Sequence, residues 1–240
     1  MKTSNKILFF ASLIFLILII VIIINFRLFV NKKMALGNSN NDQTLYKTSK
    51  FTKRTFDYSN YDKLEINGFW DIEILPGNSW NLEIRGHSFE NIKIRVQNSK
   101  LTIDKKHDNF LSDERFFIRI LMPVLKQLST SGSGKVSIGN YTCNELVLNI
   151  SGAIKVFGNE IIAENLKINC RGASKINFET CLIKNAHIIS SGASSIDLYM
   201  TGGDLSGTVS GAGRVFYSGH IASQHIFSSG AVNIKKVEKF

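Results

Sequence analysis

Proline and cysteine are both scarce in this sequence of 240 residues, with only two prolines and three cysteines. Because proline removes a hydrogen-bond donor from a strand, its scarcity permits long, uninterrupted β-strands. Cys143, Cys170 and Cys181 form an odd set without the spacing of metal ligands. We therefore expect buried, apolar thiols, and the sequence predicts neither a metal site nor a cofactor.

Acidic side chains are scarce in the N-terminal segment. Residues 1–54 hold nine Lys and Arg but only one acidic residue, Asp42, whereas the remaining residues hold 20 basic and 18 acidic side chains. The net charge of +10 therefore belongs mostly to the N-terminal segment. A nucleic-acid partner is not predicted, because the rest of the chain is nearly neutral.

The run from Ile7 to Ile24 has no charge, and Ser12 is its one polar side chain. An apolar helix of this length spans most of a hydrocarbon core about 30 Å thick. We predict a transmembrane anchor over residues 1–30, with a cleaved signal peptide as the alternative. A polar linker over residues 31–54 is expected to follow. Basic residues flank the run almost equally on both sides, so charge does not set its orientation.

Alternation of apolar and polar residues begins near Phe56 and is clear in Trp70-Asp71-Ile72-Glu73-Ile74. This period predicts β-strands with one solvent-facing side. No apolar stripe with the helical period follows residue 30. Residues 55–240 are therefore predicted to form one all-β domain.

Six glycines recur at intervals of 19 or 20 residues within residues 131–240, and five of them follow a serine. Such a period is typical of a solenoid whose coils each contain about 20 residues. We interpret these glycines as a structural turn column in which a Cβ would clash or φ must be positive. The column comprises Gly132, Gly152, Gly172, Gly192, Gly211 and Gly230.

Other positions of the repeat also keep their chemistry. A β-branched residue lies four positions after every glycine, which predicts two short strands per coil and a stacked apolar core. Another series of polar side chains at equivalent positions is predicted to have a structural role, because such residues stabilise bends. Its members are Glu145, Asn165, Asn185, Asp204 and Ser223.

The Ser-Gly ladder, together with the segment from Leu64 to Ile74, resembles the auto-transporter adhesin family with a head GIN domain. The resemblance covers residues 56–238 and includes Met122-Pro123-Val124-Leu125 ahead of the first Ser-Gly-Ser-Gly. It implies a right-handed parallel β-helix, a bacterial source and an exported, envelope-associated location. The family supplies no catalytic residues. This chain departs from the pattern at Arg171 and in its apparent anchor.

The favoured functional hypothesis is a non-enzymatic, membrane-tethered binding or structural module with an envelope glycan or protein as ligand. Its candidate ligand face consists of the aromatic residues Phe157, Phe216 and Tyr217. Its domain is expected outside the cytoplasm, in the periplasm or at the cell surface. A component of an envelope signalling complex is a further hypothesis, although the short N-terminal tail carries no effector domain. The sequence does not indicate an oligomeric state.

A carbohydrate-active enzyme is the alternative, by analogy with other β-helices. Glu179 and Asp197 would lie on adjacent coils, about 7 Å apart by diagonal strand geometry. Nothing else in the sequence converges on that pair. His187 and His225 would lie about 10 Å apart, too far to share a metal ion. We therefore predict no catalytic residue.

Overall fold

The computed structural model describes residues 52–105 and 116–238, which belong to the unit formed by residues 49–240. These described residues form eleven β-strands and no helix, which confirms the all-β class. The strands are β1 (Thr52–Phe56), β2 (Lys63–Pro76), β3 (Asn81–Gly86), β4 (Ile92–Gln97), β5 (Lys100–Lys105), β6 (Phe116–Met122), β7 (Gln127–Gly139), β8 (Thr142–Asn159), β9 (Ile162–Thr201), β10 (Asp204–His220) and β11 (Ser223–Lys236).

No helix capable of crossing a membrane occurs in the part of the chain that the structure describes. The predicted anchor over residues 1–30 and most of the linker over residues 31–54 lie outside the described residues. At its C-terminal end the linker prediction is corrected. Thr52 already belongs to β1, since the residues of Thr52–Phe56 pair antiparallel with residues 82–86 of β3.

The first part of the domain is assembled around β2. One edge of β2 pairs in parallel with β5 through Lys63–Asn67 and with β6 through Trp70–Pro76. Antiparallel pairs extend this edge, with β4 on β5 and with β3 between β6 and β1. The other edge of β2 pairs in parallel with β7. Two separate strands thus cover one edge of β2, and the repetitive part of the chain begins on the other.

From β7 onward each strand pairs in parallel with the next one in sequence, through β8, β9 and β10 to β11. The register joins residues 20 apart in β7 and β8 and 19 apart in β10 and β11, as in Val136↔Val156 and Val215↔Ile234. Equivalent positions of the sequence repeat therefore lie beside one another. We call such a series of paired equivalent residues a file.

Strand continuity differs from the two short strands predicted per repeat. The longest strand, β9, runs through 40 residues without interruption. The glycine bends do not end the strands, because Gly152 stays paired with Gly132 on one side and with Gly172 on the other. Interruptions occur instead at corners such as Asn140 and Glu160, which both have positive φ.

Inward-facing files form the core. The β-branched residues four positions after each glycine are fully buried from Val136 to Val215, and the last one, Ile234, is partly buried in the terminal strand. Identical or similar branched side chains pack upon one another in successive strands, as the sequence predicts. These members are Val136, Val156, Ile176, Ile196, Val215 and Ile234.

The predicted bend-stabilising file is linked by hydrogen bonds. The amide of Asn185 donates to Asn165 Oδ1 at 3.1 Å, and the backbone N–H of Asp204 donates to Asn185 Oδ1 at 3.0 Å. The Ser223 hydroxyl then donates to Asp204 Oδ1 at 2.7 Å. Each polar side chain thus satisfies a group in the neighbouring strand, which is a structural role.

Candidate ligand-binding surfaces

The glycine column lies at the bend between two outward surfaces of the repeat. Gly192 pairs with Gly211, and Gly211 pairs with Gly230. The file also has an earlier member, Gly68 of β2, which pairs with Gly132. Residues that precede each glycine line one surface, and residues that follow it line the next.

The aromatic residues proposed as a ligand face do not form one surface. Phe157 and Phe216 are half-buried and belong to the same file. Two other members of that file, Asn177 and Asp197, lie between them, so the two rings are not adjacent. Tyr217 is only 7% exposed and belongs to the core, which corrects its assignment to the ligand face. The physical reason is strand alternation, because neighbours in a strand point to opposite sides.

Cations already cover both outward aromatic rings. Lys135 Nζ lies 5.0 Å from the ring centroid of Phe157, and the guanidinium carbon of Arg214 lies 4.9 Å from that of Phe216. These distances are within the range of cation–π attraction. A ligand that stacked on either ring would have to displace its cation.

An open groove of about 490 Å³ lies on the surface that precedes the glycine bend. Two outward files supply its polar wall, and most of its lining side chains can form hydrogen bonds. The lining comprises Glu65, Asn67, Ser129, Thr130, Ser131, Asn149, Ile150, Ser151, Asn169, Cys170, Arg171, Ile189 and Ser191.

Hydrogen bonds between neighbouring strands hold the groove's amides in place. Asn169 Nδ2 donates to Asn149 Oδ1 at 2.8 Å, and Asn149 Nδ2 donates to Ser129 Oγ at 3.1 Å. Further along the groove, the Ser131 hydroxyl donates to Asn67 Oδ1 at 2.6 Å. Because each of these groups uses only part of its bonding capacity, the wall keeps donors and acceptors for a ligand.

Arg171 is the one cationic side chain in the groove lining. It occupies the file in which Ser131 and Ser151 precede it and Ser191 follows it. Its side chain is exposed and has no ion-pair partner among the described residues. The sequence already marks Arg171 as unusual, because it is the single break in the series of serines before the glycines. That break alone does not predict the groove.

The cysteines are not nucleophiles in this arrangement. Burial raises the thiol pKa of both Cys170 and Cys181 to about 11. These thiols therefore remain protonated at neutral pH, and only a thiolate is a strong nucleophile. Cys143 is half-buried, and burial raises its pKa as well.

Of the two carboxylates considered for catalysis, Asp197 has a structural partner, whereas the contact recorded for Glu179 involves its backbone. Asp197 is 3% exposed and accepts a hydrogen bond at 3.4 Å from an Arg214 nitrogen. The backbone N–H of Glu179 donates to Asn177 Oδ1. Neither contact joins the two carboxylates to each other.

His187 and His225 each lie within hydrogen-bond distance of a serine. His187 Nδ1 lies 3.0 Å from Ser206 Oγ, and His225 Nδ1 lies 3.1 Å from Ser223 Oγ. Within residues 52–105 and 116–238, no group of three His, Cys, Asp or Glu side chains could hold a metal ion.

Comparisons with a family model and with solved structures find proteins with similar descriptions. A family model described as "Putative auto-transporter adhesin, head GIN domain" matches residues 60–221. A structure described as a putative adhesin from Bacteroides fragilis is 19% identical, with a TM-score of 0.63, and the match covers 78% of this chain and 97% of that one. A second structure so described, from Parabacteroides merdae, is 17% identical, with a TM-score of 0.53 and coverage of 79% and 97%. No curated protein matches the sequence at a significant level.

Proposed function

The chain belongs to the auto-transporter adhesin family with a head GIN domain, and on this basis we propose that it is a non-enzymatic, adhesion-like binding module. The outward surfaces of the repeat are the candidate contact areas. The observation that carries the proposal is the open groove lined by amide and hydroxyl side chains. Catalysis has less support, because the candidate carboxylate Asp197 is buried against Arg214.

The folded part is proposed to be a right-handed parallel β-helix, with each coil stacked on the preceding one. Parallel pairing at shifts of 20 and 19 residues supports this architecture. The close approach of the glycines supports it too, since a Cβ on Gly192 would lie 2.5 Å from the Gly172 carbonyl oxygen. Such a rod presents long flat surfaces rather than an enclosed pocket.

We further propose that the run Ile7–Ile24 tethers this rod to the cell membrane as a single span, with the domain outside the cytoplasm. The length and the apolar character of the run support the span. In intact cells, added protease is expected to remove the C-terminal domain when it lies at the cell surface. Cleavage only after the outer envelope is permeabilised would indicate a periplasmic domain. Protection until the inner membrane is lysed would contradict the proposed orientation.

The ligand of the groove is proposed to be an envelope glycan. Sugar hydroxyls can donate and accept hydrogen bonds, and they match a wall built from Asn and Ser side chains. A protein ligand fits less well, because the centre of a protein interface usually contains large apolar or aromatic anchors. Ile189 is the one large apolar side chain that is strongly exposed in the lining.

The Arg171→Ser variant is expected to weaken glycan binding about tenfold, because a hydrogen bond to a charged group contributes roughly 1.5–3 kcal/mol. The new serine matches its neighbours in the file, so the fold should be retained. The measurement is biolayer interferometry of the full chain, in mild detergent, against a panel of neutral polysaccharides.

Arg54→Ser is the matched control, since Arg54 is an exposed arginine of β1 and is not part of the groove. It should bind as the unmodified chain does. Loss of binding in Phe157→Ser/Phe216→Ser, but not in Arg171→Ser, would move the site to the aromatic file. Absence of binding to every polysaccharide would reject a glycan as the ligand.

A further inference from the structure

Three lysines lie beside one another on the surface that follows the glycine bend. Lys135 of β7 pairs with Lys155 of β8, which in turn pairs with Lys175 of β9. All three side chains are exposed. Adjacent strands in a sheet are about 4.8 Å apart, so this file places three positive charges in a row along the stacking direction.

This lysine file differs from five other lysines of the domain, each of which has a carboxylate partner. Lys167 pairs with Glu145 and Lys184 pairs with Glu164, each with a carboxylate about one repeat away. Lys53, Lys100 and Lys126 also have carboxylate partners. In contrast, Lys155 and Lys175 have no ion-pair partner among the described residues. Like charges directly opposite one another destabilise a sheet, so stabilisation of the sheet does not account for this row of lysines.

The flanks of the lysine file leave Lys155 and Lys175 accessible, whereas Lys135 has Asp71 directly opposite it in β2. Two positions before the lysines lie exposed small residues, among them Ala153 and Ala173. Two positions after them lie Phe157 and Asn177, which carry no charge. Asp71 accepts a hydrogen bond from the Lys135 backbone at one end of the file. The flanking file that contains Asn177 continues to Asp197, but that carboxylate is buried and accepts a hydrogen bond from Arg214.

We propose that the lysine file, formed by Lys135, Lys155 and Lys175, binds a linear acidic polysaccharide that runs along the stacking direction. Its carboxylate or phosphate groups would contact successive lysine ammonium groups. The alanine positions beside the file allow the polymer backbone to approach the sheet closely. This site lies on the other side of the glycine bend from the polar groove, and it does not depend on a ligand in that groove.

The surroundings favour an acidic polysaccharide over the other polyanions. Proteins that bind single-stranded nucleic acid combine basic side chains with exposed aromatic rings on which bases stack. Here the neighbouring ring of Phe157 is half-buried and lies under Lys135. Binding to an anionic membrane usually adds several apolar side chains that insert into the interface. In the file before the lysines, Phe69 is exposed, but the next members, Ser133 and Ala153, are too small for that role.

The test is the double variant Lys155→Gln/Lys175→Gln of the full chain, with polygalacturonate as the carboxylate probe and a phosphodiester-linked glycan polymer as the phosphate probe. The unmodified chain is expected to bind at least one of these polymers, more weakly in 0.5 M than in 0.05 M salt because exposed charges are screened. The double variant should lose about tenfold or more in affinity, since each lysine near an anionic surface contributes roughly fivefold.

Lys167→Gln/Lys184→Gln is the matched control, because it removes the same charge from lysines that already have carboxylate partners. It should retain binding. Equal loss in both double variants, or equal binding to uncharged dextran, would overturn the proposal. Tighter binding to a single-stranded DNA oligonucleotide or to anionic vesicles than to both acidic polymers would also overturn it.

Discussion

The Gly152→Ala variant is expected to lose about 2–6 kcal/mol of the free energy of unfolding. Gly152 has φ of +108°, and a Cβ added there would lie 2.2 Å from the Gly132 carbonyl oxygen. A residue with a side chain held at such φ costs about 1–3 kcal/mol, and forcing an atom into a packed site costs about 1–3 kcal/mol more. Neighbouring strands on both sides pair with this position, so the backbone has little room to move. Urea unfolding followed by circular dichroism measures the loss.

Gly202→Ala separates the two causes. Gly202 has a similar φ of +117°, but no atom lies within 4 Å of the added Cβ. The variant should therefore lose only the cost of backbone strain, about 1–3 kcal/mol. The difference between the two variants measures the close approach of successive strands at the glycine column. Equal losses would show that this approach contributes nothing to the requirement for glycine.

The Phe178→Ala variant is expected to lose about 3–5 kcal/mol, the usual range for truncating a buried phenylalanine. Phe178 is fully buried. Its ring occupies space that Gly158 leaves open, since a Cβ on Gly158 would lie 2.7 Å from Phe178 Cδ1. Removing the ring therefore leaves a cavity lined partly by a residue without a side chain, which cannot fill it. Thermal and urea unfolding of the variant give the change.

Phe227→Ala is the control for that experiment, because Phe227 is 77% exposed in the terminal strand. Its change in the free energy of unfolding should stay within about 0.5 kcal/mol. A loss at Phe178 no larger than the loss at Phe227 would mean that the ring does not contribute to the core. A large loss at Phe227 would instead point to a contact that covers the terminal strand.

The repeat could be predicted in detail because its signal is local and recurs. Identical residue types at intervals of 19 or 20 fix which positions lie side by side, and the register pairs Val136 with Val156 accordingly. Gly68 was missed as a member of the glycine column, since 64 residues separate it from Gly132. Strands β3 to β6 occur in that interval and complete the first part of the sheet.

The surfaces were harder to predict than the files. Tyr217 was assigned outward although Phe216 beside it already faced outward, and alternation places one of two neighbours in the core. The lysine file was visible in principle, because Lys135, Lys155 and Lys175 recur at intervals of 20 residues. Their significance depends on Lys155 and Lys175 having no ion-pair partner among the described residues, which the spacing alone does not give.

The sequence by itself determined the β class, the period and the positions that stack, because these follow from residue types repeated at a constant interval. Only the tertiary structure decided that the strands run unbroken through the glycine bends and that a polar groove opens before them. It also decided which cations lie without a counter-charge. These features depend on distances between groups in different strands, and a one-dimensional pattern does not contain those distances.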